Sequence, residues 1–139
     1  MIILDTNVIS EPLRPSPDAA VAQWLDKQHP DTLFITTLTV AELRAGIAVL
    51  TPGRRQTVLN ERIEGTVLPA FADRILPFDS PAARSWALIQ TRARAEGRPL
   101  PVMDSLIAAI AHSRGYALAT RNVKDFTGAD IEILNPWKT

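Results

Sequence analysis

Short apolar runs of β-type residues alternate along the chain with longer stretches whose apolar positions recur at helical spacing. Five runs predict strands, namely MIIL at the N-terminus, LFITT, RILPF, YALAT and IEIL. SPDAAVAQWLDKQ predicts a helix with Ser16 as N-cap and Pro17 at its first position, and SPAARSWALIQTRARAEG repeats that opening at Ser80 and Pro81. TVAELRAGIAVL and RRQTVLNERIEGTVLPAFA predict two more helices, the first with Ala41, Ala45, Gly46 and Ala48 offering a surface for close packing. MDSLIAAIAHSRG is apolar nearly all round, which predicts a helix buried against the sheet and stopped at Gly115. Strands alternating with helices are the pattern of an α/β domain with parallel strands joined by crossover helices. No repeat, low-complexity tract or linker divides the chain, so one domain over residues 1–139 is expected.

The pattern also places acids where apolar residues would be expected to continue. Asp5 follows the first strand, Glu42 falls in the first turn of the helix after the second, and Asp104 falls in the first turn of the buried helix. In an open parallel sheet the strand C-termini and the helix starts that follow them gather along one edge, where such folds hold their ligands. Each acid also has a purely architectural use. Asp5 suits a cap for a helix beginning near Asn7, Thr39-Val-Ala-Glu42 has the spacing of a capping box, and Asp104 suits the positive end of a helix dipole. Against these uses stands the company the acids keep. Three and four positions after Asp104 come Ile107 and Ala108, and after Glu42 come Ala45 and Gly46, so each carboxylate shares a face with core-type or small residues. Carboxylates gathered on such faces repel one another and raise one another's pKa unless a cation or donors offset the charge.

Composition narrows the cation. The 139 residues contain no cysteine, and the two histidines, His29 and His112, form no HxxxH or HExxH pattern, which leaves oxygen donors and a hard ion, Mg²⁺ or Mn²⁺. Such an ion shares its coordination shell with phosphates, lowers the pKa of a bound water and stabilises charge growing on a phosphoryl centre, while a carboxylate such as Glu42 orients the water or accepts its proton. Phosphodiester hydrolysis is the reaction class this implies. Fifteen basic and fifteen acidic residues cancel, so net charge advertises no polyanionic partner, although twelve of the cations are arginine and several cluster at Arg54–Arg55 and from Arg92 to Arg98. An absent signal peptide and absent cysteine favour the cytoplasm, and the longest apolar run, Leu106 to Ala111, is far too short to span a membrane.

Four stretches, LDTNVISE, TVAELRAG, MDSLIAAIA and ATRNVKDF, stand in the order and at the spacing of the motifs of PIN-domain ribonucleases, and the chain resembles the VapC-type toxins of bacterial toxin–antitoxin pairs. LRPSPD and NPW add a likeness to the subgroup that includes the fast intracellular trafficking protein B. The resemblance implies a three-layer α/β/α fold around a mostly parallel sheet of about five strands. It implies an Mg²⁺-dependent endoribonuclease, with Mn²⁺ as a possible substitute, that forms a homodimer and a hetero-oligomer with a cognate antitoxin covering the acidic site. Operator DNA would be contacted through the antitoxin alone. By motif, the catalytic acids fall on Asp5, Glu42 and Asp104, with the metal on Asp5 and Asp104. Many members carry a fourth acid directly after Thr-Arg, where this chain has Asn122, and the next acid is Asp125 in VKDF, which also suits a turn. An asparagine brings a carbonyl oxygen but no charge, so one firm metal site is expected, with any second ion arriving with substrate. His112 is expected to pack or hydrogen-bond on its helix and Thr6 and Asn7 to support Asp5, while Trp24, Trp86 and Trp137 are candidates for stacking bases, with helical spacing favouring the core or a dimer interface for Trp24 and Trp86. Two other readings stay open. One is a dehalogenase-type phosphatase with Asp5 as nucleophile, and the other is a non-catalytic module that only binds the antitoxin.

Overall fold

A computed structural model describes residues 1–138. All five expected strands form, as β1 (Ile2–Leu4), β2 (Leu33–Thr36), β3 (Ile75–Leu76), β4 (Ala117–Ala119) and β5 (Ile133–Leu134). They make one sheet in the order β3-β2-β1-β4-β5, and every pairing is parallel, with Ile2 opposite both Leu33 and Ala117. Alternation along β1 explains the layering, because successive side chains of a strand point to opposite faces. Ile3 enters one core with Ile89 and Ala93 of α6 (Ser80–Ala95) and Ile107 to Ala111 of α7 (Val102–Arg114). Leu4 enters the other with Val8 of α1 (Thr6–Ser10), Val21 of α2 (Ala19–Asp26), Leu43 of α3 (Thr37–Ala48) and Ile63. The sheet is thus sandwiched between two helical layers, the expected α/β/α architecture.

α7 is buried over five consecutive positions, Ile107 to Ala111, which is why its sequence is apolar nearly all round. It ends at Gly115, whose φ of 68° is the left-handed conformation that glycine adopts without a Cβ penalty. Three helix starts differ from the sequence expectation, each because a neighbouring oxygen caps instead. Asp18, rather than Ser16, caps α2 by accepting the Ala20 N–H at 2.8 Å, and Asp79, rather than Ser80, caps α6 by accepting from Ala82 at 3.1 Å. Thr36, rather than Thr39, caps α3 by accepting from Thr39 at 3.2 Å, so α3 starts two residues early and Glu42 lies in its second turn, free of any capping box. The stretch expected as one helix from Arg54 breaks into α4 (Arg54–Arg62), a π-turn (Ile63–Val67) and α5 (Leu68–Ala70). Pro69 has no N–H for the carbonyl of Gly65, and a widened turn removes that demand.

The small residues of α3 do not pack closely within this chain, since Ala41, Ala45, Gly46 and Ala48 are all exposed and a Cβ added at Gly46 would meet nothing within 4 Å. Loop 14–18 is tied down by Glu11, only 3% exposed, which accepts from the Asp18 N–H and pairs with Arg14, both at 3.1 Å.

Candidate functional site

Chain order reverses at β1. The chain steps outward from β1 to β2 and β3, then returns to lay β4 on the opposite side, so the switch point lies between the C-terminal ends of β1 and β4, the place where open α/β sheets bind ligands. Two polar residues straddle it. Asp5 leaves β1 and Thr120 leaves β4, and the Thr120 hydroxyl donates to Asp5 Oδ2 at 2.7 Å. Asp5 is only 4% exposed, and two further donors hold it, the Thr6 N–H on Oδ1 at 2.8 Å and the Asn7 amide on Oδ2 at 3.3 Å. Asp5 therefore does cap α1, and it does so while its Oδ1 keeps a second lone-pair direction free.

Thr6 joins Asp5 to Glu42. Its N–H serves Asp5, while its hydroxyl donates to Glu42 Oε1 at 2.7 Å and lies 3.1 Å from the buried Thr39 hydroxyl. Glu42 is thereby steered from the α3 layer toward the sheet edge, with Oε2 left over. Asp104 arrives from the other layer. Alternation along β1 carries Asp5 to the side of Ile3, the side on which α7 packs.

The acids feel one another's charge. Burial pushes the Asp5 carboxyl above the ordinary carboxylate range, the donors of Thr120, Thr6 and Asn7 pull it back, and the charge of Asp125 pushes it up again. Asp104 is pushed up to about 6, first by burial and then by the charges of Asp5, Asp125 and Glu42, with Asp125 also accepting a hydrogen bond from its protonated form. Among the described residues none of these four acids is in a salt bridge.

The structure thus brings Asp5, Glu42 and Asp104 into one electrostatic cluster, and it adds Asp125 rather than the Asn122 side chain. Asn122 is exposed; its backbone N–H donates to Thr120 Oγ1 at 3.1 Å, and the residue lines a neighbouring cavity. The short 3-10 turn Val123–Phe126, pinned by the buried Phe126, swings Asp125 back to Asp104. Phe126 is the signal that could have pointed there, since a large apolar residue directly after Asp125 anchors the turn in the core.

Among the described residues no three such side chains close into a ready-made metal cage. An open pair of carboxylates, Asp5 and Asp104, suits a hard cation that keeps most of its waters, because Mg²⁺ is commonly bound through one or two carboxylates and the rest of its shell stays solvent or substrate. Other chemistry is placed elsewhere. His112 Nδ1 lies 2.8 Å from Ser85 Oγ in the α6–α7 contact, and Trp86 donates to Ser105 at 3.0 Å in the same layer.

A family model described as PIN domain matches residues 2–130. Toxin FitB of Neisseria gonorrhoeae is 47% identical over 137 residues, covering 99% of each chain. A VapC ribonuclease of Sinorhizobium fredii is 46% identical over 138 residues, again covering 99% of each. The crystal structure of FitAcB from Neisseria gonorrhoeae contains a chain that matches with a TM-score of 0.96 and 46% identity, covering 100% of both chains.

Proposed function

The chain belongs to the PIN-domain family, and from that premise we propose that it is a metal-dependent endoribonuclease, the toxin of a toxin–antitoxin pair, using Mg²⁺ with Mn²⁺ as a substitute. The observation that carries this reading is that the charges of Asp5, Asp125 and Glu42 all push the Asp104 carboxyl up beside the sheet's switch point, while among the described residues none of the four acids is in an ion pair. Asp5 and Asp104 would hold the ion, which would supply a lowered pKa for water and positive charge to offset that growing on the phosphate. Everything else comes from the chain. Thr120, Thr6 and Asn7 fix the direction of the Asp5 carboxylate, so that little reorganisation is needed when substrate arrives. Glu42, held through one oxygen by Thr6, uses the other to orient a water and accept its proton.

A cognate antitoxin restrains the activity. Beside Thr6 and Glu42 opens an apolar groove of 310 Å³ lined by Leu13, Leu43, Gly46, Ile47, Leu59 and Ile63, a surface suited to an apolar segment of that partner. Gly46, one of the exposed small residues of α3, lines it, which gives that position a use that packing within the chain does not. A homodimer, with operator DNA contacted through the antitoxin, completes the proposal. No helix among the described residues is long and apolar enough to cross a membrane.

The test is incubation of purified, antitoxin-free protein with total RNA across a magnesium and manganese titration, with EDTA and Asp5→Asn as controls. Discrete fragments in metal, and none in EDTA or with Asp5→Asn, are expected; cleavage that survives either control would sink the metal–carboxylate mechanism. No cleavage under any condition, with antitoxin binding intact in Asp5→Asn and Asp104→Asn, would make the chain a binding module. A phosphoryl adduct trapped on Asp5 would make it a phosphatase.

The fourth acid has its own test. Because Asp125 is exposed, Asp125→Asn is expected to raise the magnesium concentration for half-maximal cleavage only about two- to fivefold. Asn122→Ala should stay within about twofold of the natural protein, since its ordering bond comes from the backbone N–H. A larger effect at Asn122 than at Asp125 would reverse the assignment.

A further inference from the structure

The sheet edge carries a second feature beyond the acids. β5 ends at Leu134, and the chain turns through Asn135-Pro136-Trp137, where the Asn135 side-chain oxygen accepts the Trp137 N–H at 3.0 Å and residues Pro136–Lys138 close a 3-10 turn. This local lock sets the indole beside the end of β4. Arg121 lies across it, with its guanidinium carbon 5.1 Å from the ring centroid. Among the described residues Arg121 has no carboxylate partner, and it is exposed. An arginine on this chain need not lack one, since Arg14, Arg44, Arg74, Arg92, Arg98 and Arg114 are all paired with acids.

The pair is coupled to the acids through the backbone. The Arg121 N–H donates to Asn7 Oδ1 at 3.2 Å, and the Asn7 amide donates to Asp5 Oδ2 at 3.3 Å, so the platform and Asp5 are two hydrogen bonds apart. Beside the pair opens a cavity of 930 Å³ whose lining includes Arg121, Trp137, Lys124 and Lys138, with Asp18 and Asp125 as its acids. Asp125, which lines the cavity, is hydrogen-bonded to Asp104, so the cavity adjoins the acidic cluster at that residue.

A guanidinium backed by an indole is flat, cationic and held in place, and its remaining face suits the π-face of an unpaired base. Lys124 and Lys138 put further positive charge in the wall where a phosphate backbone would pass. We propose that Arg121 and Trp137 form a stacking platform for an unpaired RNA base adjoining the scissile phosphate, making the substrate single-stranded at the cleavage point. This inference rests on the ribonuclease reading of the neighbouring acids. It also gives the neutral net charge a rationale, since binding would depend on stacking beside a few local cations rather than on a general positive field.

The experiment titrates the natural protein, Arg121→Lys and Trp137→Leu with fluorescein-labelled hexaribonucleotides, single-stranded and in duplex, in EDTA so that cleavage is arrested, and then measures cleavage in Mg²⁺. The natural protein should prefer the single strand. Both variants should lose about tenfold in single-strand affinity and keep their duplex affinity, and Arg121→Lys, which retains the charge, should keep the salt dependence. In Mg²⁺ the loss should fall on KM. Arg121→Lys keeps the test decisive if Trp137→Leu folds poorly. Single-strand binding by Arg121→Lys equal to that of the natural protein overturns the platform, as does normal RNA binding by both variants with weakened antitoxin binding, which would assign the pair to the protein partner. Weakened binding as expected, with no cleavage by the natural protein in either metal, would leave the platform standing and remove the ribonuclease reading instead.

Discussion

Replacing Asp104 by Asn is expected to give a protein that withstands heat better than the natural one at pH 7.5 in EDTA, yet cleaves RNA about 1,000-fold more slowly in Mg²⁺. Both effects come from the same carboxylate. Its folded pKa, about 6, lies above the ordinary aspartate value of 3.8, so between those values the folded state holds a proton that the unfolded chain has released. The natural protein therefore loses stability as pH rises through that window, and the penalty is complete above about pH 6. Asparagine carries no charge and escapes it. Allowing for the partial exposure of the side chain, the gain is about 1–2 kcal/mol, or roughly 3–8 °C in Tm, and it should vanish below about pH 4. Adding Mg²⁺ should raise the Tm of the natural protein by mass action and leave Asp104→Asn nearly unmoved. A variant that melts earlier in EDTA would show that its neighbours do not oppose the Asp104 charge, and the case for a cation there would lose its electrostatic basis. Raised stability with unchanged cleavage would remove Asp104 from the reaction.

Such a residue is visible in a sequence for the reason that makes it costly. Asp104 interrupts a helix that is otherwise apolar nearly all round, and Asp5 ends an apolar strand, so both break a pattern set by burial. The strands and α7 are legible on the same ground, since continuous apolar runs have few alternatives to a buried parallel sheet and the helix against it. Caps are less so. Where Ser16, Pro17 and Asp18 stand together, or Asp79 and Ser80, several oxygens are candidates and the carboxylate prevails, while the row Thr36, Thr37 and Thr39 offers the helix more than one start. Least legible are the contacts made only by closure of the fold. Thr6 meets Glu42 across 36 residues and Thr120 meets Asp5 across 115, and no spacing rule links such pairs. Asp125 belongs with them, because its place at Asp104 depends on Phe126 finding the core.

Thr120 is the most economical probe of that closure. Its hydroxyl is fully buried and uses every hydrogen-bonding capacity it has, donating to Asp5 Oδ2 at 2.7 Å and accepting from the Asn122 N–H at 3.1 Å and the Asn7 amide at 3.4 Å. Thr120→Val keeps the shape of the side chain and removes these bonds. The donor it removes is the strongest influence holding the Asp5 carboxyl down, so burial would push Asp5 further above the carboxylate range. The acidic limb of the pH–rate profile should then move to higher pH, because more of the enzyme carries a protonated Asp5 at a given pH. Magnesium affinity should fall about 10- to 100-fold, the usual cost of losing a partner that orients a metal ligand. High magnesium should restore most of the rate, whereas Asp5→Asn should stay inactive, and that difference separates a positioning residue from a ligand. If Thr120→Val instead lowers cleavage at every magnesium concentration, with an unmoved pH profile, the hydroxyl contacts the substrate itself and Asp5 owes its alignment to Thr6 and Asn7.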